Sequence, residues 1–168
     1  ELSHGSCFKI YLPIVEKEIE ETALQEKVEL SRGRETILVV DDDESIRAMI
    51  LDTLQPLGYT TLEAASGAEA VERSASYPEK IDMILSDVIM PGMNGPQLVD
   101  VIMQQRPGIR VILMSGYTDN AIIHNQITEK NHTLLNKPIL PIALAGRIRN
   151  VLDNKQMEAA PMTDNKVN

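Results

Sequence analysis

The sequence has a single cysteine, few aromatic residues and no excess of positive charge. Cys7 is the only cysteine among 168 residues, so no internal disulfide or cysteine-rich zinc site can form, as is typical of a reducing, cytoplasmic compartment. The formal net charge of -9 disfavours nucleic acid as a direct partner, because binding a phosphate backbone depends on lysine and arginine. No apolar run approaches the roughly 20 residues that span a bilayer, so we expect no direct membrane contact.

What is present is a globular composition, with 43% hydrophobic and 24% charged residues. Short apolar runs alternate with longer stretches of helical spacing. The predicted strands cover residues 37–40, 59–62, 81–85, 111–114 and 133–135. The predicted helices cover residues 45–54, 68–76, 97–105, 120–128 and 142–152. This alternation predicts an α/β fold, a doubly wound five-stranded parallel sheet with helices on both faces and ligands at the carboxyl ends of its strands.

Polar residues stand at the ends of four of these strands. They are Asp41, Asp42 and Asp43 after the first, Asp87 after the third, Ser115 after the fourth and Lys137 after the fifth. Carboxylates gathered at one sheet edge repel one another, by about 4 kcal/mol per pair at 4 Å in an effective dielectric near 20. A divalent cation and a lysine would offset that repulsion, which predicts a metal site at this edge.

The oxygen-only ligands favour a hard ion, and we expect Mg²⁺, with Mn²⁺ as an alternative. A carboxylate in such a site can attack a phosphoryl donor while Lys137 balances the charge and the Ser115 hydroxyl donates a hydrogen bond. Asp43 and Glu44 are better explained as residues that cap the first helix, because acids favour the positive end of a helix dipole.

The motifs ILVVDDDESIR, ILSDVIMPGMNG, VILMSGYT and LLNKP resemble the receiver domains of two-component response regulators, over residues 37–152. The resemblance implies a flavodoxin-like receiver fold and a phosphoryl group accepted by Asp87 from a histidine kinase domain, in cis or in trans. It also implies that Asp42, Asp87 and the backbone carbonyl of Ile89 bind the metal directly, while Asp41 acts through water. Lys137 and Ser115 would assist the transfer.

The same resemblance implies further details near the fifth strand. The Gly116 amide would contact the phosphoryl group, and the Lys137–Pro138 peptide would be cis. Receiver domains often have Tyr or Phe three residues before the lysine, where this chain has Leu134, so the chain departs from the family's aromatic switch at this position.

The flanking residues give a second, shorter resemblance. HGSCFKIYLP is similar to the closing strand of a histidine-kinase ATPase domain, which implies a hybrid sensor kinase whose parent protein is a histidine kinase that can be membrane-bound. The expected layout is a kinase remnant at 1–14, a charged, partly helical linker at 15–34, a receiver at 35–154 and a disordered tail at 155–168. A histidine-phosphotransfer protein would be a further partner.

Two other functions remain open at this stage. A haloacid-dehalogenase-type phosphatase would use Asp41, Asp43 and Ser45 as its nucleophile loop, but Asp87 would then have no role. A receiver that is never phosphorylated would act only as a docking module. We expect no independent turnover enzyme, because a receiver assists only its own phosphorylation.

Overall fold

The structure, a computed structural model, describes Lys9, Tyr11 and residues 32–116 and 132–153. Its five strands are β1 Thr36–Val40, β2 Thr60–Ala64, β3 Met83–Asp87, β4 Arg110–Ser115 and β5 Thr133–Asn136. Its helices are α1 Glu44–Leu54, α2 Gly67–Ser76, α3 Gly95–Gln105 and α4 Pro141–Asp153, with a short 3₁₀ helix at Gln55–Leu57. The helix predicted at 120–128 lies outside the described residues.

The strands form one sheet in the order β2-β1-β3-β4-β5, and every neighbouring pair is parallel. The prediction of a five-stranded parallel sheet is therefore confirmed. Strands β1 and β3 are buried along their whole length, as expected when helices cover both faces of a parallel sheet. Strand β2 lies at one edge, which explains its mixed burial.

Side chains of alternate strand residues face opposite sides of the sheet and build two apolar clusters. Leu38 and Val40 of β1 belong to the cluster that packs against α2 and α3, whereas Ile37 and Val39 belong to the cluster that packs against α1 and α4. Both clusters extend along β3 and β4. The central strands are thus held from both sides, and their carboxyl ends are fixed relative to one another.

Strands β2 and β3 begin later than predicted, whereas the other differences extend a strand by one or two residues beyond its predicted range. Strand β3 begins at Met83, not at residue 81, although Ile81 is buried. Ile81 packs from the preceding loop, where the Asp82 carboxylate accepts a hydrogen bond from the Thr36 amide at 3.0 Å. Strand β2 begins at Thr60, not at residue 59. Tyr59 is also buried, but it belongs to the loop before the strand. In both cases a buried apolar residue of the preceding loop was predicted as the first residue of the strand.

None of the described helices has the length and apolar content needed to cross a lipid bilayer.

Candidate functional site

The acidic residues meet where β1 and β3 end side by side. Val40 is in register with Ser86, so Asp41, which follows β1, lies beside Asp87, the last residue of β3. One carboxylate oxygen from each of Asp41, Asp42 and Asp87 lies within 4.8 Å of the others. Asp41 is fully buried and Asp42 is exposed, so the group opens to solvent on one side.

Lys137 joins this group from β5, two strands away from β3. Its Nζ lies 3.0 Å from Asp41 Oδ2 and 3.0 Å from Asp87 Oδ2, and its side chain is only 20% exposed. The Lys137 amide donates to the carbonyl of Ser115 at 2.7 Å, which fixes the backbone where the lysine leaves the sheet. The Lys137–Pro138 peptide is cis, as the resemblance implied.

The surroundings of Asp87 and Lys137 change the pKa of both side chains. Burial raises the pKa of Asp87 above its ordinary value, against the opposing effect of Lys137. Burial alone would lower the pKa of Lys137, but its hydrogen bonds to Asp87 and Asp41 outweigh that effect and raise it. The lysine therefore stays protonated, and the ionised form of Asp87 is held at a cost that a bound cation would reduce.

The backbone around Asp87 is held by four contacts. The Val88 amide donates to Asp87 Oδ1 at 2.8 Å and to the Met114 carbonyl at 2.9 Å. The buried hydroxyl of Ser86 donates to the Asp87 carbonyl at 2.9 Å. Gly95, the first residue of α3, donates its amide to the Val88 carbonyl at 2.9 Å. These contacts hold the end of β3 in place, and the bond from the Val88 amide fixes the orientation of the Asp87 carboxylate.

The remaining predicted site residues lie at or just after the ends of β3 and β4. Ser115 ends β4 one residue after Met114, which is in register with Asp87, and it is almost fully buried. Gly116 follows it directly and is partly buried. Ile89 lies two residues beyond Asp87 with 48% of its surface exposed.

Asp43 and Glu44 take the capping role that the sequence indicated. Asp43 Oδ1 accepts hydrogen bonds from the amides of Ser45 at 2.8 Å and Ile46 at 3.2 Å, and Glu44 lies in the first turn of α1. These amide donors hold the pKa of Asp43 below its ordinary value. Asp43 therefore starts the helix that follows the acidic pair.

Three residues that hold the site were not identified from the sequence. Arg47 Nη1 donates to the Asp41 carbonyl at 2.7 Å, while Ser86 and Gly95 fix the end of β3. The asparagine before Gly95 was a usable signal, because Asn94 and Gln97 form a reciprocal capping box at the start of α3. Arg47 gave no such signal, since its spacing is also that of a solvated helix face.

Leu134 is half-buried in β5, in register with Leu113, and packs against the apolar cluster beneath α2 and α3. An aliphatic side chain therefore stands where receiver domains often have an aromatic ring.

Residues 37–149 match the family model of the response regulator receiver domain. The chain is 35% identical over 163 aligned positions to the sensor kinase CckA of Brucella abortus, in an alignment that covers 92% of this chain and 17% of that protein. The chain thus spans less than a fifth of the length of this relative.

Solved structures agree with the sequence match. The chemotaxis protein CheY4 of Vibrio cholerae superimposes with a TM-score of 0.63 at 30% identity, covering 71% of this chain and 99% of that one. The receiver domain from the hybrid histidine kinase CckA superimposes with a TM-score of 0.59 at 32% identity, covering 70% and 98%. The matched family, the parallel sheet and the cluster of Asp41, Asp42, Asp87 and Lys137 agree, and the chain belongs to the response regulator receiver domain family of two-component signalling.

Proposed function

We propose that Asp87 accepts a phosphoryl group from a phosphohistidine, with Mg²⁺ bound at the neighbouring carboxylates. The observation that carries the proposal is the position of the Lys137 ammonium, 3.0 Å from both Asp41 and Asp87. A lysine in that place pairs with the carboxylate that reacts and with one that does not. When Asp87 becomes phosphorylated, the Lys137 ammonium can therefore pair with a phosphoryl oxygen while it stays paired with Asp41.

The donor set fits a hard divalent cation. Its three carboxylates carry three negative charges and Lys137 carries one positive charge, so the ionised cluster needs two more positive charges for neutrality. Carboxylate oxygens without nearby histidine or cysteine ligands suit Mg²⁺, and Mn²⁺ as an alternative. Asp42 and Asp87 are the proposed direct ligands, with the Ile89 carbonyl, and Asp41 acts through water.

The transfer makes one bond and breaks one. An Asp87 oxygen forms a bond to phosphorus, and the phosphorus–nitrogen bond of the donor breaks with its electron pair on the imidazole nitrogen. Bound Mg²⁺ would neutralise part of the charge on the phosphoryl oxygens. The Ser115 hydroxyl and the Gly116 amide, which follow each other at the end of β4, are the proposed hydrogen-bond donors to the same oxygens.

The extent of the kinase similarity supports a hybrid parent protein. The receiver match covers residues 37–149, whereas the similarity to the Brucella sensor kinase covers 92% of the chain and so includes residues before the receiver. This supports a linker at 15–34 within a kinase chain, and the proposed kinase remnant at 1–14 rests on the resemblance of HGSCFKIYLP to the closing strand of an ATPase domain. The proposed donor is a histidine kinase domain, in cis or in trans, in the cytoplasm, and a histidine-phosphotransfer protein is the proposed further partner.

Phosphorylation is tested by intact-mass measurement after incubation with Mg²⁺ and a small phosphoryl donor. Phosphoramidate is the sharper donor, because its phosphorus–nitrogen bond is of the kind found in phosphohistidine. The native chain should gain the mass of one phosphoryl group, Asp87→Asn should gain none, and EDTA should abolish the gain. Asp52→Asn is the matched control, since Asp52 is an exposed acid on α1. Labelling of Asp87→Asn equal to that of the native chain would overturn the assignment.

The same experiment separates the two alternatives. A docking module that is never phosphorylated would gain no mass from any donor. A haloacid-dehalogenase-type phosphatase would release phosphate from a phosphomonoester with turnover. The structure gives little support to this phosphatase, because Asp43, which its mechanism needs, caps α1 through two backbone amides.

A further inference from the structure

Arg47 connects the acidic loop after β1 to the edge of the sheet. Its side chain is only 13% exposed, and its Nη1 donates to the Asp41 carbonyl at 2.7 Å. On its other side, its Nε lies 3.8 Å from a carboxylate oxygen of Glu63 on β2. A cation on the first turns of α1 is therefore directed back to the loop that precedes the helix.

The contact completes the set of bonds around Asp41. The Asp41 amide donates to the Ala64 carbonyl at 3.3 Å, and its carboxylate accepts from the Asp43 amide at 3.0 Å and from Lys137 at 3.0 Å. The carbonyl held by Arg47 belongs to the peptide unit that joins Asp41 to Asp42. Its orientation sets the direction in which the Asp42 side chain leaves the backbone.

This orientation matters because no hydrogen bond or ion pair from the described residues holds the Asp42 side chain. Asp42 is exposed, whereas Asp41 is fully buried, and their carboxylates share the group with Asp87. Like charges at this spacing favour conformations that move them apart. A donor that fixes the connecting peptide keeps both carboxylates toward Asp87 against that repulsion.

We propose that Arg47 is a positioning residue of the metal site, which holds the Asp41–Asp42 peptide so that both carboxylates face a divalent cation. The inference rests on the proposed function and extends it to a residue outside the ligand set. Residues that orient metal ligands change metal affinity by about 10- to 100-fold when they are removed.

A purely electrostatic role for Arg47 predicts the opposite sign. If Arg47 acted only as a nearby positive charge, its removal would strengthen the binding of a divalent cation. If Arg47 positions the ligands, its removal weakens that binding. Arg47→Lys adds a second distinction, because it keeps the charge but lacks the planar fork of donors that reaches the carbonyl and Glu63 together.

The test is a calorimetric titration of the full chain with MgCl₂, comparing the native protein with Arg47→Gln and Arg47→Lys. We expect Mg²⁺ to bind about tenfold more weakly to Arg47→Gln and about threefold more weakly to Arg47→Lys. Arg73→Gln is the matched control, since Arg73 lines the same surface groove as Arg47 and, among the described residues, pairs with Glu69 and not with the acidic loop. Its affinity for Mg²⁺ should match that of the native chain.

Two further readouts separate positioning from general stability. The Asp43 amide, which bonds to the Asp41 carboxylate, should exchange its hydrogen faster in Arg47→Gln than in the native chain, with EDTA present. With phosphoramidate as donor, Arg47→Gln should need about tenfold more Mg²⁺ for half-maximal labelling, while its rate at saturating Mg²⁺ stays close to native.

The outcomes are distinct for the two proposals. Tighter or unchanged Mg²⁺ binding in Arg47→Gln, or unchanged binding in Arg47→Lys, would overturn the positioning role alone. If Arg47→Gln does not fold, Arg47→Lys still decides, because it retains the charge and a donor. A native chain that neither binds Mg²⁺ nor becomes labelled at Asp87 would overturn the proposed function itself.

Discussion

The backbone of Gly95 lies directly against the carbonyl oxygen of Asp87. A β-carbon at position 95 would lie 2.3 Å from that oxygen and 3.0 Å from a methyl group of Leu113. Helix α3 therefore begins in contact with the end of β3, at a distance that only glycine permits. The position of the proposed phosphoacceptor depends on this contact as well as on the sheet.

Gly95→Ala should destabilise the protein by about 2 kcal/mol, because the added methyl group must displace backbone atoms instead of a flexible side chain. It should also slow the labelling of Asp87, since the end of β3 has to shift. Urea unfolding measures the first effect and intact mass the second.

Gly146→Ala is the matched control for that substitution. Gly146 is exposed on α4, and a β-carbon there would meet nothing within 4 Å. Alanine in this helix should stabilise the protein by about 0.5 to 1 kcal/mol and leave labelling unchanged. If both variants gained stability, the contact between Gly95 and Asp87 would leave room for a β-carbon, which would contradict the prediction.

Asp87→Asn should stabilise the protein when no metal is bound. Burial raises the pKa of Asp87 in the folded state, so ionisation of this carboxyl at pH 7 opposes folding, and the neighbouring Asp41 carboxylate adds repulsion. The neutral amide removes both costs, while Lys137 keeps Asp41 as its partner. We expect a higher free energy of unfolding in EDTA than that of the native chain.

The same variant should respond less to Mg²⁺ than the native chain does. At a concentration ten times the dissociation constant, the metal should stabilise the native chain by about 1.4 kcal/mol and Asp87→Asn by less. Asp52→Asn, an exposed acid on α1, should behave like the native chain in both conditions. Destabilisation of Asp87→Asn in EDTA would show that its bond to Lys137 outweighs the repulsion.

The fold and the core of the site were predictable because their signals are local or topological. Apolar runs separated by helical periodicity indicate a parallel sheet, and the carboxyl ends of parallel strands share one edge. That rule alone placed Asp41, Asp87 and Lys137 together, and the structure brings them within hydrogen-bonding distance. The predicted starts of β2 and β3 were wrong because Tyr59 and Ile81 are buried but lie in loops.

The long-range contacts that hold the fold together were not predictable, because they join residues that no local pattern relates. Arg106 contacts a carbonyl 32 residues away, and Arg149 pairs with a carboxylate 114 residues away. In the sequence both resemble ordinary surface cations. Gly95 shows a helix start, but its contact with Asp87 depends on how α3 packs against the sheet.

Arg106 gives a prediction about the loop between α2 and β3. Its guanidinium donates to the carbonyls of Ser74 at 2.6 Å and Tyr77 at 2.5 Å, and also to that of Glu79. These carbonyls lie at and after the end of α2, where helix geometry leaves acceptors without partners.

Arg106→Ala should therefore cost about 2 to 3 kcal/mol of stability, because several charge-assisted bonds are lost together. Arg106→Lys should recover only part of this, since one ammonium cannot reproduce the planar fork. Arg147→Ala, at an exposed position of α4, is the control and should have little effect on urea unfolding. Full recovery in Arg106→Lys would indicate that charge alone is required.

The ion pair of Glu35 and Arg149 links the start of β1 to α4 at the far end of the sheet from the site. Arg149 Nη2 lies 2.8 Å from Glu35 Oε1, and the guanidinium also bonds to Asp153 and to the Tyr59 hydroxyl. The hydrogen bond from Arg149 is the main cause that lowers the pKa of Glu35 from 4.5 to about 2.

The lowered pKa of Glu35 determines how the stability of the protein changes with pH. Between pH 4.5 and 2 the unfolded chain binds a proton at Glu35 that the folded chain does not, so the stabilisation is complete above about pH 5 and is lost as the pH falls toward 2. Partial exposure to solvent limits its size to about 1 kcal/mol. Glu35→Gln should thus be less stable than the native chain at pH 7, with a gap that narrows at pH 3, while Glu72→Gln, on the exposed face of α2, should show no such trend in urea unfolding. A gap of constant size across this range would mean that Glu35 acts through packing and not through its charge.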